Sequence, residues 1–315
     1  MITFSLRRLG QAIVVVVGVT FLTFVLEKLA PGNIAREVLG VKATPVSIAE
    51  FNRKYGLNRP FLSQYWLFLD HLVHGNLGFS WKQNRSVDSL VGFELPRDLV
   101  LVGTSIVLAL VGAIPVGIAQ AMKRNSILDY SVTGFSFLLY SMPAYVPGLL
   151  LITLLSIRYQ IFPSQAPQGA SAIDLLLHPS GLVLPVLTLT LISYATFSRY
   201  MRSSAIDTLA QDYIRTARGK GLPRWRLITK HLLPNSLIPV VTLIGLSLPQ
   251  ILTAGLIVEY LFNFQGVGLE YYYAATIGDF PVMVGITVLV GITTVFGNLV
   301  ADLGYAVLDP RVRYK

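Results

Sequence analysis

Ala205-Ile-Asp-Thr-Leu-Ala-Gln-Asp-Tyr-Ile-Arg-Thr-Ala-Arg-Gly-Lys-Gly-Leu-Pro223 lies between two long apolar runs. Ile206, Leu209, Ala210, Tyr213, Ile214 and Ala217 recur at helical spacing, which places them on one face. Asp207, Gln211, Arg215 and Arg218 fall on the opposite face. The periodicity predicts an amphipathic helix over residues 205–220. Gly219 and Gly221 suit a left-handed cap, and Pro223 blocks continuation. A second short helix is expected over 224–233, with Trp225, Ile228 and Leu232 on one side, ending at Pro234-Asn235. A charged two-helix arm in so apolar a chain needs a purpose outside the lipid.

The chain around it is built for a membrane. Of its 315 residues, 53% are hydrophobic and only 13% charged, where a soluble domain carries about a quarter charged residues. Charge-free runs over 9–26, 99–122, 130–157, 175–198, 232–258 and 280–301 approach or exceed the roughly 20 residues that cross a bilayer core. The first run is the shortest and is expected to extend through Arg8 and Glu27 by snorkelling. The fold class predicted is therefore an all-α integral membrane protein with six transmembrane helices and an outward-facing insertion between the first two. Arg7-Arg8 before an apolar run imitates a signal peptide, but no Ala-x-Ala site follows, so the run is expected to stay as a first span.

Charge sets the orientation. Segments 1–8, 123–129, 199–231 and 302–315 hold 15 Lys/Arg against 5 Asp/Glu, while the remaining residues hold 10 against 11. The positive-inside rule then puts both termini in the cytoplasm. The net charge of +9 reads as an orientation signal that also meets anionic headgroups. No basic stretch interleaved with aromatics speaks for nucleic acid.

Enzyme readings fail on inventory. The chain has no cysteine, which excludes a disulfide framework, a thiol nucleophile and a Cys-ligated metal. His71, His74, His178 and His231 form no zinc-helix motif, and Gly219-Lys220 lacks the rest of a nucleotide-binding P-loop. Neither a metal nor a catalytic group is expected.

The arm and three other stretches resemble a known family. Arg215-Thr-Ala-Arg-Gly-Lys-Gly221, nine further residues and His231-Leu-Leu-Pro234 resemble the EAA loop of ABC-importer permeases. Ala217, Gly221, Leu233 and Pro234 match it in register, while Arg215, Thr216 and His231 depart from it. The wording Tyr213-Ile-Arg-Thr-Ala-Arg-Gly-Lys-Gly221 is similar to the B-type permeases of dipeptide and oligopeptide importers, where the Glu is commonly absent. Tyr55-Gly-Leu-Asn-Arg-Pro-Phe61 with Gln64-Tyr65, and Gly75-Asn-Leu-Gly-Phe-Ser80, resemble the outer segment of the same permeases. Glu259-Tyr-Leu-Phe-Asn-Phe-Gln-Gly-Val-Gly268 resembles their Glu-x-x-Phe-x-x-x-Gly-x-Gly element, and Leu308-Asp-Pro-Arg-Val-Arg-Tyr314 their ending.

The resemblance implies three parts: a first helix over 1–29, an extracytoplasmic segment over 30–97, and a five-helix core over 98–315 with a cytoplasmic coupling loop at 203–235. Asp207, Gln211, Asp212, Arg215, Ala217, Arg218, Gly221 and Pro234 would meet the ATPase. It further implies a second homologous permease, two ABC ATPase subunits that bind ATP and magnesium, an external binding protein and a peptide substrate, in a bacterial cytoplasmic membrane. Nickel, glutathione and oligosaccharide importers share this permease type, and nothing in the spans encodes a choice among them.

Several readings rest on the residues alone. In the outer segment, helices are expected around 46–55 and 60–73, with Ser47 and Glu50 as a capping box and Pro60 in the first turn. That segment is either a cap over the helix ends or a dock for a partner. Pro115, Pro143, Pro147, Pro185, Pro239 and Pro249 are candidate kinks, although proline is common in membrane helices. Ser141, Ser247, Gln250, Thr253 and Asn298 are candidate pathway groups, a helix–helix hydrogen bond being their commoner role. Glu259, Phe262, Phe264, Gly266 and Gly268 form an outer loop that either touches substrate or binding protein, or is an aromatic belt with a glycine turn. The spans carry almost no ionisable residue, with Asp302 and His178 near their ends. A self-sufficient secondary transporter or channel would be expected to keep one in mid-membrane, which favours an energy source outside the chain.

Overall fold

A computed structural model describes residues 2–29, 34–40, 43–247 and 255–308. The described residues are almost wholly helical, with one two-stranded hairpin. They divide into two compact units.

One unit comprises Ile2–Glu94 and Glu270–Val295. Helix α1 runs Ile2–Leu29, followed by the short α2 over Ile34–Leu39. Helix α3, Pro45–Lys54, starts one residue earlier than the sequence suggests. Its N-cap is Thr44, and Ser47 reciprocates from the third position, so Ser47 closes the capping box rather than opening it. The helix ends in a Schellman turn: Gly56, at φ +68°, donates to Arg53 O and Leu57 to Asn52 O. Gln64 of α4 (Phe61–Val73) then clamps that turn, its amide donating to the carbonyls of Leu57 and Arg59. Tyr65 reaches α1 through Thr20 Oγ1 at 3.0 Å, and around Phe24 the Phe68 ring stacks while those of Phe61 and Tyr65 pack tilted. The Tyr-Gly-Leu-x-x-Pro-Phe-x-x-Gln-Tyr wording thus encodes one turn and its docking onto the first helix.

The hairpin pairs β1 (Phe79–Ser80) with β2 (Arg85–Ser86). Gly78, at φ +106°, leads into it, and Trp81 packs on Phe51, Tyr55 and Phe79. The buried Ser80 hydroxyl donates to Asp279, and Gln83 to Glu270.

The other unit comprises Leu95–Leu269 and the chain from Phe296. Helix α5 runs Val87–Met122 without a break at Pro96 or Pro115. It therefore starts twelve residues before the expected span, and residues 87–97 are helix. Helix α6 (Ile127–Ser141) stops at Met142, which is held extended by the following Pro143. The chain resumes as α7 (Tyr145–Leu151), which widens into a π-helix over Ile152–Arg158. The two segments are bent by 105°, so the expected span 130–157 is not one straight helix. Pro143 lies at this bend, and Pro239 lies beside a second one, of 42°, between the helical segments Arg224–Ser236 and Ile238–Gly245. Pro185 and Pro239 sit in first turns, where a missing N–H is harmless, and Pro249 lies outside the described residues.

Short α8 (Ala172–Leu177) is capped by Ser171 and Asp174, whose mutual hydrogen bonds hold the exposed Asp174 carboxyl below its usual range. Helix α9 follows over Val183–Leu209, then α10 (Asp212–Gly219), α11 (Arg224–Leu227), a π turn over Ile228–Leu232, α12 (Leu233–Ser236) and α13 (Ile238–Ser247). The second helix of the arm thus continues past Pro234 instead of ending there. The wide π turn precedes the proline, where the i→i−4 ladder loses a donor. Helices α14 (Gly255–Phe262), α15 (Val267–Ile277) and α16 (Phe280–Leu308) complete the described residues.

Three described helices are long and apolar enough to cross a membrane, five if each bent pair counts as one span. In α1 the apolar stretch is Ile13–Leu26, which is shorter. Large hydrophobic side chains stand exposed on many helices, among them Val14, Val111, Ile127 and Phe137. Such surfaces belong against lipid or another subunit.

Candidate functional site: a polar arm and a buried polar knot

The predicted single helix over 205–220 is two. Helix α9 carries Ala205 and Thr208 to its end at Leu209, both buried. Gln211 is extended, and α10 starts afresh at Asp212. The break falls where the apolar residues change partners. Ala205 joins a cluster with Ala109, Ala113 and Met201. Ile214 and Ala217 join Leu227 instead, with Leu209 and Leu222 at its margin. Periodicity continues across the break and so conceals it.

The arm closes on itself through a second Schellman turn. Gly221, at φ +74°, donates to Arg218 O at 2.9 Å, and Leu222 donates to Ala217 O at 3.3 Å. Leu222 then covers the Ala217 cluster, the hydrophobic contact that accompanies this motif. Asp212 in the first turn and Arg218 in the last both suit the helix dipole.

The residues expected at an ATPase interface divide accordingly. Asp207, Gln211, Asp212, Arg215, Arg218, Gly221 and Pro234 are exposed, whereas Ala217 is buried inside the arm. Tyr213 and Trp225, each expected on the apolar side of its helix, stand exposed, Trp225 at 66%. Leu227 is the residue of the second helix that packs on Ile214 and Ala217.

The Glu259–Gly268 element is also assembled differently from a surface belt. Phe262 and Phe264 are fully buried, in a cluster with Leu101, Leu184 and Val258. Neither Gly266 nor Gly268 has a positive φ, so turn freedom is not their reason. A Cβ on Gly266 would collide with the Asp98 and Glu259 carboxylates, and one on Gly268 would sit 3.0 Å from the Leu256 backbone. The glycines are there for close approach. Asp98 accepts from Val267 N at 2.9 Å and Glu259 from Leu269 N at 2.7 Å, two carboxylates at the first turn of α15. Arg97 donates to the Gln265 side chain at 3.0 Å and lies over the Phe264 ring. Gln265 in turn accepts from Gly169 N, and Ala166 N donates to Phe262 O.

Glu94, Arg97, Asp98 and Glu259 are all buried in helices, just outside the charge-free runs 99–122 and 232–258. Arg97 and Asp98 were missed. The available signal was a charged cluster at helical spacing directly before an apolar run.

Three of the candidate pathway residues, Ser141, Ser247 and Asn298, lie among the described residues. The hydroxyls of Ser141 and Ser247 bond to Phe137 O and Leu243 O of their own helices, and Asn298 is exposed. Gln250 and Thr253 lie outside the described residues. Among the described residues no group of three or more His, Cys, Asp or Glu could hold a metal ion.

Comparison with known proteins gives the family. The profile described as "Binding-protein-dependent transport system inner membrane component" matches residues 113–314, and that of its N-terminal component matches 1–102. The chain is 36% identical over 319 residues to the oligopeptide transport system permease protein AppB of Bacillus subtilis, covering all of both chains. It is 33% identical over 341 residues to the dipeptide transport system permease protein DppB of Escherichia coli, again over both full lengths. A solved structure of the inward-facing MetNI methionine ABC transporter contains a chain of similar fold, with TM-score 0.57 at 17% identity, covering 70% of this chain and 96% of that one. The chain belongs to the family of binding-protein-dependent transport system inner membrane components.

Proposed function

We propose that this protein is one of two membrane subunits of an ATP-driven importer of di- or oligopeptides, with six spans and both termini in the cytoplasm of a bacterium. The peptide assignment rests on the full-length relatives named as oligopeptide and dipeptide permeases. Separate ATPase subunits bind ATP and magnesium, an external binding protein delivers the peptide, and a second, homologous permease completes the path. The chain itself carries no catalytic step.

The observation that carries the reading is the arm. Its apolar face is used up by its own fold, in the Ile214–Ala217–Leu227 cluster. Asp207, Asp212, Arg215 and Arg218, with the exposed rings of Tyr213 and Trp225, are left for another protein. The arm docks in a cleft of the ATPase, and closure of the two ATPases displaces it. A short helix locked by a Schellman turn and a packed cluster transmits displacement that a loose loop would absorb. The bundle then alternates between outward and inward openings. In this scheme the buried Glu259–Gly268 element shapes the outer loop that meets substrate or binding protein.

Reconstitution of the complete transporter in proteoliposomes tests the assignment. Peptide uptake is expected only with ATP, the ATPases and the binding protein together. Uptake by the chain alone, driven by a proton or sodium gradient, would instead make it a secondary transporter.

A further inference from the structure

We propose that Asp129 and Arg202 are positioning residues that carry the displacement of the arm into the helices of the bundle. The proposal rests on the arm being the docking element.

Arg202 lies on α9, seven residues before that helix ends at Leu209 and gives way to α10. Its Nε and one Nη donate to the two carboxylate oxygens of Asp129, at 2.6 and 2.7 Å. Asp129 is 1% exposed and sits in the first turn of α6. Its carboxylate also accepts from Asn125 N at 3.0 Å, which fixes the turn between α5 and α6. Gln120 of α5, itself buried, donates to Thr133 of α6 at 3.1 Å and accepts from Ser198 of α9 at 3.3 Å. One polar joint, buried at Asp129 and Gln120 and partly exposed at Arg202, therefore ties α5, α6 and α9 together within seven residues of the end of α9.

The joint is stiff because its neighbours cannot slide. A Cβ on Gly117 of α5 would sit 2.8 Å from Met201 Cβ and 3.0 Å from Arg202 N, so the two helices already cross at backbone distance. A bidentate ion pair adds direction to that contact. Apolar contacts alone would let α9 rotate against α6, whereas two hydrogen bonds to one carboxylate fix the angle between them. A push on α10 reaches α9 first. With the joint intact, α6 and α5 follow as one body.

The test uses the complete transporter in proteoliposomes and reads peptide imported per ATP hydrolysed, alongside co-purification with the ATPases. Asp129→Asn keeps the shape and removes the charge, and Arg202→Lys keeps the charge and removes the fork. Both are expected to assemble and hydrolyse ATP while import per ATP falls by about tenfold, inside the roughly 5–150-fold range of coupling between sites. An unchanged ratio in assembled variants would overturn the proposal and leave the pair a stabilising contact.

A second measurement uses the unaltered joint, so it stands even if the variants fail to assemble. Spin labels at the exposed Ile127 and Ser203 should keep a constant separation between nucleotide-free and ATP-trapped states. A change beyond about one helical turn, roughly 5 Å, would show that α6 and α9 do not move together. Thiol cross-linking of Arg218→Cys to the ATPase reads the docking separately. If that link forms and the ratio is unchanged, only this inference fails. If the link never forms, the docking reading fails.

Discussion

A Cβ placed on Gly266 would lie 2.6 Å from Oε2 of the buried Glu259 and still closer to the Asp98 carboxylate. Glycine at this position is a demand for space set by two acids, one on α5 and one on α14. Gly266→Ala is therefore expected to destabilise the chain by about 1–3 kcal/mol, the range for overpacking. Gly103 has no atom within 4 Å of its would-be Cβ and no left-handed φ. Gly103→Ala should be neutral or slightly stabilising in the same thermal-unfolding assay in detergent. Equal effects at the two sites would argue against the knot.

Phe264 offers a test of burial against surface. As a core ring beneath Arg97, its replacement by Ala should cost about 3–5 kcal/mol. A membrane-belt residue would be lost with little change in stability. An unchanged unfolding temperature in the folded variant would contradict the packing described.

Trp225 and Ile214 should behave in opposite ways. Trp225 is largely exposed, so Trp225→Ala should shift stability by no more than about 0.5 kcal/mol while weakening co-purification with the ATPases. Ile214 is fully buried inside the arm. Ile214→Ala should loosen the arm itself, seen as faster proteolysis around residues 210–223 in membranes with an accessible cytoplasmic face. If Trp225→Ala leaves ATPase binding at full strength, the exposed ring is not part of the interface.

Gly221 separates backbone from bulk. Its φ of +74° is strained for a branched residue by about 1–2 kcal/mol, while nothing within 4 Å blocks a Cβ. Gly221→Asn tolerates the left-handed region and should keep most uptake. Gly221→Val should insert normally yet uncouple uptake from ATP hydrolysis. Similar uptake in both variants would remove the cap from the coupling account.

Much of this was legible from residue order. The arm, its Gly221 cap and the apolar runs follow from periodicity and from glycine chemistry. The break at Ala210–Gln211 was not legible, because Ile206 and Ala217 keep helical spacing while packing in different clusters. The 105° bend was announced only as a proline, since Pro143 and Pro115 look alike in sequence yet one ends a helix and the other rides within it. The polar knot was hidden by distance. Asp98 and Val267 are 169 residues apart, and a charge beside an apolar run reads as a solvated end unless its partner is known. The same ignorance of neighbours made Gly266 and Gly268 look like turn residues.

The claim that the arm is the cytoplasmic handle of the transporter has a direct measurement. The chain contains no cysteine, so Arg218→Cys provides a unique thiol on the exposed face of α10. In the assembled transporter this thiol should cross-link to a cysteine in the ATPase cleft and resist a membrane-impermeant reagent added outside intact cells. Labelling from outside, or free exposure in the complete assembly with no link to the ATPase, would contradict the account.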